Sequence, residues 1–325
     1  MSLQIVYGRA GTGKSEYCYN EIAQNLKNEN KIIIITPEQF SFTAEKKLME
    51  CINNTSVLNA EVVTLSRMAY RVIQETGGNT QNLTKCGKAM LIYSILNEQK
   101  NNLKFLGKTD ENIEILGNAI TELKKHGIKL EQLKNEIEKQ QDNYLKNKLE
   151  DIYNIYEKFE NHINGKYIDE TDLLSILAEK IDQTDMFKDN IIYIDEFAGF
   201  TSQEYEIIKK LLKIAKKVTI TICTDELHNV KNADTDIFYS NQITVNKILE
   251  IAKENNIKID EVQLEETYRF KSEELKYLEK YLYENRYSKY EKEVKDIQLF
   301  LAKIKIFDCF SLSNFVKFKN LINFQ

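Results

Sequence analysis

Leu3-Gln-Ile-Val-Tyr-Gly-Arg-Ala-Gly-Thr-Gly-Lys-Ser15 opens the chain with a short apolar strand pattern, a glycine-rich turn and the start of a helical pattern. Residues 8–15, here called the phosphate loop, match the spacing G-x-x-x-x-G-K-[ST], in which glycines let successive backbone N–H groups point at phosphates. The N-terminus of the following helix adds the positive end of its dipole. The stretch therefore predicts a strand, a phosphate-binding turn and a helix at the start of an α/β fold.

The phosphate loop defines the first set of candidate site residues. Lys14 is expected to reach the β- and γ-phosphates of a nucleoside triphosphate, and the Ser15 hydroxyl is expected to ligate Mg²⁺. ATP and Mg²⁺ are therefore the expected cofactors. The alternative is a chance glycine-rich turn, which the flanking strand and helix patterns disfavour. The predicted nucleotide-binding residues are Gly8, Arg9, Ala10, Gly11, Thr12, Gly13, Lys14 and Ser15.

Further strand and helix patterns follow this unit. The β-branched run at 31–35 predicts a strand that is covered on both faces, and a helix pattern leads from it to Cys51. A third strand is expected at 61–64, followed by a helix at 65–75. Successive strand and helix units predict a parallel sheet. The expected fold is α/β, a RecA-like P-loop NTPase domain with a parallel sheet.

A long stretch rich in lysine and glutamate interrupts the sheet pattern and predicts a large helical insertion. The strand pattern resumes at 190–196 and again at 218–223, so the α/β core is expected to be split. The last residues are rich in phenylalanine and fit poorly on what precedes them. The predicted segments are the first part of the RecA-like domain at 1–83, the insertion at 84–188, the rest of the domain with following helices at 189–302, and a divergent tail at 303–325.

Acidic residues end two of the later strand patterns. Asp195 and Glu196 follow an apolar strand, where Asp195 is expected to hold Mg²⁺ and Glu196 is the candidate catalytic residue that orients an attacking water. Acidic strand ends are common, but the phosphate loop upstream favours this interpretation. Asp225 follows the next strand, and two roles stay open for it: nucleotide sensing, or a turn or helix cap.

Composition excludes several classes of protein. With 45 basic and 50 acidic side chains the net charge is −5, so a general positive field for nucleic acid is not expected. The five cysteines form no Cys-x-x-Cys pair, which argues against zinc ribbons and disulfide frameworks. No run of about 18 apolar residues and no secretory signal pattern is present. We therefore expect a cytoplasmic protein with no membrane partner.

Four segments together resemble the AddB family, the B subunits of bacterial AddAB helicase–nucleases, which are related to UvrD-like superfamily 1 helicases. The resemblance is to the N-terminal portion of that family and covers residues 1–302. It implies an ATP-binding part of a complex that processes DNA double-strand breaks for recombinational repair, with the A subunit and single-stranded DNA as partners. The four segments are residues 7–15 (YGRAGTGKS), 35–45 (ITPEQFSFTAE), 64–71 (TLSRMAYR) and 194–201 (IDEFAGFT).

The resemblance also implies DNA-binding residues. In such helicases the segments after the second and third strands contact the backbone of single-stranded DNA, which corresponds here to Thr36, Thr64 and Ser66. Hydroxyl groups and helix N-termini suit phosphate contacts. The alternative is that Thr36 and Thr64 cap helices, and both roles can hold together.

The resemblance does not extend to the family's second motor domain or to its nuclease domain with four iron–sulfur cysteines. No iron–sulfur cluster is therefore expected in this chain, which looks truncated, and the tail from 303 resembles the product of an interrupted reading frame. Two other functions stay open: a small-molecule P-loop kinase, and a non-catalytic scaffold in which ATP only stabilises the fold. Whether the chain hydrolyses ATP is left open by the sequence.

Overall fold

The computed structural model describes residues 1–27, 31–52, 59–77, 81–104, 106, 112–228, 236–282 and 289–297. The predicted tail at 303–325 lies outside these residues. In the described part of the chain, no helix combines the length and the apolar character needed to cross a membrane.

Strands and helices alternate along most of the chain. The strands are β1 (Ser2–Gly8), β2 (Ile32–Ile35), β3 (Ala60–Val63), β4 (Gln81–Leu83), β5 (Tyr167–Asp169), β6 (Ile191–Ile194), β7 (Lys217–Cys223) and β8 (Lys258–Gln263). The helices are α1 (Lys14–Leu26), α2 (Ser41–Ile52), α3 (Leu65–Thr76), α4 (Lys85–Gln99), α5 (Asn112–Lys125), α6 (Leu130–Lys139), α7 (Asn143–Ile163), α8 (Leu173–Lys180), α9 (Ser202–Ile214), α10 (Tyr239–Glu254) and α11 (Glu273–Tyr281).

Six of the described strands form one parallel sheet in the order β3-β2-β6-β7-β1-β8. Because all these strands run the same way, their carboxyl ends meet at one edge, where open α/β sheets bind ligands. Gly8 lies opposite Cys223 across the β1–β7 pair, and Ile35 lies opposite Ile194 across the β2–β6 pair. The register therefore brings the phosphate loop and Asp195 to the same edge, with β7 between them. The predictions of an α/β fold and a parallel sheet are confirmed.

The sheet is covered on both faces, as the β-branched run at 31–35 predicts. Alternate side chains of β2 enter different clusters: Ile33 and Ile35 pack with α3, α8, α9 and α10, whereas Ile32 and Ile34 pack with α1 and α2. Strand β6 alternates in the same way, since Ile192 and Ile191 belong to opposite clusters. A continuous apolar run is thus the pattern that a strand between two helical layers requires.

Helices α4 to α7 enclose a core of their own, which includes Ile92, Ile120, Leu133 and Phe159. In the sequence, β4 precedes these four helices and β5 follows them. The two strands pair with each other in parallel. Helix α8 lies within the range predicted for the insertion, but its Leu177 packs in the cluster beneath the main sheet. The proposed division at 84–188 stays a prediction.

A cluster of charged side chains lies between α4, α5, α7 and the segment after β5. Lys124 is 5% exposed, and its Nζ lies 2.7 Å from Asp172 Oδ2 and 2.6 Å from Glu160 Oε1. Nearby, the Lys88 Nζ donates to Asp169 Oδ2 at 2.8 Å. Burial alone would lower the pKa of Lys124, but Asp172 and Glu160 more than offset it and raise that pKa. These pairs join the α4–α7 helices to the chain that returns to the sheet.

Candidate nucleotide site

The phosphate loop has the backbone that its glycines predict. Gly11 and Gly13 have φ of +81° and +82°, a region that residues with a Cβ rarely adopt. Gly13 immediately precedes α1 and lies at its N-cap. The loop therefore joins β1 directly to the N-terminus of a 13-residue helix, the arrangement that places backbone N–H groups around an anion.

Lys14 occupies the centre of the site. Its Nζ donates to the carbonyl oxygens of Gly8 and Arg9, at 2.9 Å in each case. Burial lowers the pKa of the Lys14 ammonium, while the negative groups of Asp195 and Glu196 oppose that shift. Lys14 is half-buried, and an anion placed beside a partly desolvated cation would stabilise its charge further.

Asp195 and Glu196 face the phosphate loop from the end of β6. Asp195 is 4% exposed and accepts a hydrogen bond from the Thr221 hydroxyl on β7, which fixes its carboxylate. Glu196 has φ of +65°, and its Oε1 accepts a hydrogen bond from Ser15 Oγ at 3.2 Å. A positive φ at a residue other than glycine is uncommon, and active sites are one of the places where such residues cluster. Hydroxyl and carboxylate oxygens are the ligands that Mg²⁺ prefers.

A cavity of about 450 Å³ lies between these groups. Its floor is the phosphate loop, and Asp195 and Glu196 form one wall. Its remaining lining comes from Lys47 of α2, from the two residues after Glu196, from β7, from the start of α10 and from the chain after β8. The predicted residues that line it are Ala10, Gly11, Gly13, Lys14, Ser15, Asp195 and Glu196.

Two residues near the loop were missed by the sequence analysis. Tyr268 and Arg269 follow β8, and the backbone N–H of Tyr268 donates to the Gly11 carbonyl at 2.8 Å. Arg269 lines the cavity, and a Cβ on Gly11 would lie 2.6 Å from the Arg269 Cβ. A Cβ on Gly8 would lie 2.4 Å from the carbonyl oxygen of Leu264. Glycine is thus needed at both positions because the chain after β8 lies directly against the loop.

The structure directs the Arg9 side chain away from the cavity. Its guanidinium donates to the Glu279 carboxylate on α11, and it lies 5.1 Å from the centre of the Phe238 ring. Asp225 lies 3.9 Å from another nitrogen of the same guanidinium. The Thr12 hydroxyl donates to the Arg9 carbonyl at 3.0 Å within the loop. A phosphate contact of residue 9 would therefore come from its backbone.

The three residues implied in DNA binding have different surroundings. Thr36 is 1% exposed, and its hydroxyl has no hydrogen-bond partner among the described residues. Thr64 is buried, and its hydroxyl accepts from the Arg67 backbone N–H at 3.2 Å, so the predicted helix-capping role of Thr64 is confirmed. Thr36 does not cap a helix, because the N-cap position of the next helical turn is occupied by Pro37. Ser66 is half-buried. Their DNA contacts stay a prediction.

Exposed side chains flank the same edge of the sheet. Phe42, in the first turn of α2, is 77% exposed, which is unusual for a large aromatic residue on a helix. The Arg67 guanidinium on α3 lies 3.7 Å from Glu45 of α2, which places these two helix starts side by side. Phe42 lies three residues before Glu45 on α2, and exposed aromatic and arginine side chains are groups that stack on bases of single-stranded nucleic acid.

A larger cleft, of about 1000 Å³, lies between α4, α5 and the segment from β5 to α9. Its lining mixes Lys85, Lys88 and Lys125 with Asp169 and Glu204, and Lys88 is already paired with Asp169. The smaller cavity at the phosphate loop is the better candidate for a nucleotide site because its cation, hydroxyl and carboxylates converge on one space.

Comparison with known proteins agrees with the resemblance in the sequence. The family model described as ADDB, N-terminal, matches residues 5–279. A protein of Clostridium tetani, named as the B subunit of an ATP-dependent helicase/deoxyribonuclease, is 42% identical over 93% of this chain and 28% of its own length. Proteins with the same name from Clostridium botulinum strain Hall and Thermoanaerobacter sp. strain X514 are 41% and 39% identical, over 91% and 93% of this chain and 27% of their own lengths.

The matched region thus spans little more than a quarter of these relatives, although it spans nearly all of this chain. Because the family model covers far more than half of the residues, membership does not depend on one relative. The chain belongs to the AddB family and corresponds to its N-terminal region.

Proposed function

We propose that this chain binds ATP with Mg²⁺ at the phosphate loop, as the nucleotide-binding part of a helicase–nuclease that processes DNA double-strand breaks. The observation that carries the proposal is the convergence of the half-buried Lys14 ammonium with Asp195 and Glu196 around one cavity. The position of that cavity at the carboxyl edge of a parallel sheet supports it. We also assign the sheet to the RecA-like P-loop class on the basis of this loop and its strand order.

The residues of the site have separate roles in this proposal. Backbone N–H groups of the phosphate loop and the Lys14 ammonium would bind the phosphates. Ser15 and Asp195 would hold Mg²⁺, which neutralises phosphate charge when it is bound. Glu196, already hydrogen-bonded to Ser15, would accept a proton from a water at the open side of the cavity and orient it. Arg269 supplies a second cation at the same cavity.

The relatives are named as one lettered component of an enzyme, which supports a complex with an A subunit, as the family resemblance implies. For DNA, we propose that single strands bind at the carboxyl edge near Thr36, Thr64 and Ser66. The burial of both threonine hydroxyls favours contacts through exposed neighbours such as Phe42 and Arg67.

Asp195→Asn should remove most of the Mg²⁺ dependence of ATP binding. Asparagine keeps the size of the side chain and an oxygen for Thr221, but it loses the charge that holds the cation. The measurement is ATP affinity by calorimetry with Mg²⁺ and with EDTA, and the ratio of the two affinities should fall at least about fivefold, as expected for one lost charged ligand. Asp260→Asn on β8, outside the cavity lining, is the matched control. An unchanged ratio in Asp195→Asn would exclude this residue as a metal ligand.

Phe42→Ala should weaken the binding of a short single-stranded oligonucleotide by about fivefold or more, because stacking of one base contributes ~1–3 kcal/mol. ATP affinity should not change, since Phe42 lies outside the cavity lining. Met90→Ala, on α4 and 72% exposed, is a control of similar exposure. Fluorescence anisotropy at low salt measures both variants alongside Thr36→Val. A larger loss in Thr36→Val than in Phe42→Ala would show that the sheet-edge hydroxyl carries the contact instead.

A further inference from the structure

Arg9 makes several contacts with the chain that follows β8. Its Nε donates to both carboxylate oxygens of Glu279, at 2.9 and 3.2 Å, and another guanidinium nitrogen donates to the Glu279 backbone carbonyl at 2.8 Å. The side chains of Arg9 and Glu279 are 23% and 19% exposed. The two residues are 270 positions apart, so the Arg9–Glu279 pair fixes the end of α11 against the phosphate loop.

The chain before α11 is attached to the same loop at its other end. The backbone N–H of Leu264 donates to the Tyr7 carbonyl at 2.8 Å, and the N–H of Tyr268 donates to the Gly11 carbonyl. Residues 264–279, here called the covering segment, therefore contact the end of β1 and the loop near their start, and contact the loop again near their end. Arg269 lies between these attachments and lines the cavity.

We propose that Arg9 is a positioning residue: through Glu279 it holds the covering segment on the phosphate loop and so keeps Arg269 at the nucleotide cavity. The proposal rests on the proposed function of that cavity. A planar guanidinium suits this role because it can donate to a carboxylate and a backbone carbonyl in one fixed geometry, whereas a lysine cannot. The Phe238 ring beneath the guanidinium restricts its orientation further.

Coupling between the covering segment and the nucleotide acts in both directions. If docking of the covering segment on the loop raises the affinity for nucleotide by some factor, then bound nucleotide must shift the docking equilibrium of the segment by the same factor. Helix α11 is also linked to the chain beyond it, since Glu274 accepts hydrogen bonds from the backbone N–H groups of Asp296 and Ile297, at 3.0 and 3.1 Å. The occupancy of the phosphate loop would thereby be coupled through α11 to residues 296 and 297.

Amide hydrogen exchange of the full chain without nucleotide tests the positioning role directly. In Arg9→Ala and in Glu279→Ala, exchange within the covering segment should become about tenfold faster or more, because charge-assisted hydrogen bonds are lost. Lys276→Ala, which removes a surface partner of Glu273 on the same helix, is the matched control and should leave exchange unchanged. Equal protection in wild type and both variants would overturn the proposal.

ATP affinity of the same variants separates positioning from direct contact. Each single variant should bind ATP several-fold more weakly, and the double variant should be no weaker than Arg9→Ala, because Arg9→Ala already removes the contact that Glu279→Ala breaks. The exchanged pair Arg9→Glu with Glu279→Arg should recover part of the affinity. A loss in Arg9→Ala with full affinity in Glu279→Ala would show that Arg9 contacts phosphate itself and would overturn the proposal. If wild type bound no ATP but exchange responded as expected, only the proposed nucleotide function would fall.

Discussion

Lys14→Ala is expected to weaken ATP binding at least about tenfold, since a hydrogen bond to a charged group contributes ~1.5–3 kcal/mol. In the structure the Lys14 ammonium is held by the carbonyl oxygens of Gly8 and Arg9, next to the N-terminus of α1. Burial lowers the pKa of the Lys14 ammonium, and Arg269 lowers it further. The negative groups around Lys14 therefore do not fully offset the cost of holding its positive charge there. A phosphate group would supply the missing negative charge.

Lys47→Ala is the matched control for this loss. Lys47 also lines the cavity, but its side chain is 41% exposed and its Nζ lies 3.9 Å from Glu196. An exposed ion pair contributes little, so its removal should change ATP affinity by less than about fivefold. Calorimetric titration gives both affinities, and circular dichroism confirms that the variants fold. Equal affinities for wild type and Lys14→Ala would contradict the assignment of the loop.

Lys124→Met is expected to destabilise the protein by ~3–5 kcal/mol, the typical result when one partner of a buried ion pair is removed. Methionine retains most of the volume of the side chain, so the cost comes from charge rather than from a cavity. Asp172 and Glu160 would lose a partner that lies 2.7 and 2.6 Å away. Urea unfolding at neutral pH measures the difference in the free energy of unfolding.

The destabilisation by Lys124→Met should shrink as the pH falls. Burial raises the pKa of Glu160 and of Asp172, and Lys124 opposes that shift. Without Lys124 both folded-state pKa values rise further above the unfolded values, so the folded variant binds protons that the wild type does not. The stability of the variant is therefore retained at a pH below the unfolded-state pKa values of ~4. It is lost as the pH rises through the raised folded-state pKa values of these two carboxyl groups.

Urea unfolding at two pH values checks this sign. Lys139→Met, on the exposed surface of α6, is the control and should change the free energy of unfolding by less than about 0.5 kcal/mol at either pH. A cost of Lys124→Met that grows toward acidic pH would show that Glu160 and Asp172 are not the groups responsible.

Short local patterns predicted the central sheet well. In the phosphate loop, glycines occur at positions 11 and 13, where the backbone needs a positive φ. In the run at 31–35, consecutive apolar residues occur where β2 is covered on both faces. Thr64 was also correctly predicted as a possible helix cap, because a threonine before an amphipathic helix is a local signal.

Strand β8 was missed because it lies at the edge of the sheet. Its sequence, KIDEVQ, is polar and its side chains are mostly exposed, so it lacks the apolar run on which the other strands were predicted. With β8 missed, the prediction that helices follow the strand at 218–223 within residues 189–302 was incomplete, and Tyr268 and Arg269 could not be placed at the loop. The two apolar residues of β8, Ile259 and Val262, are three positions apart, so they do not show the period-2 alternation by which a half-buried strand is predicted.

Contacts between distant positions could not be predicted from one sequence. Arg9 and Glu279 are 270 residues apart, and Lys124 and Asp172 are 48 apart. Each pair depends on how two elements dock, and lysine- and glutamate-rich helices predict solvated faces by default. The burial of Lys124, which is 5% exposed, departs from that default.

The central claim is that the phosphate loop binds ATP with Mg²⁺, and equilibrium titration of the wild-type chain tests it most directly. A fluorescent ATP analogue should bind saturably at one site per chain in the presence of Mg²⁺, unlabelled ATP should displace it, and EDTA should weaken it. Lys14→Ala, measured in parallel, should shift the curve by at least about tenfold. A folded wild-type chain that shows no saturable binding, or binding that ATP does not displace, would contradict the account.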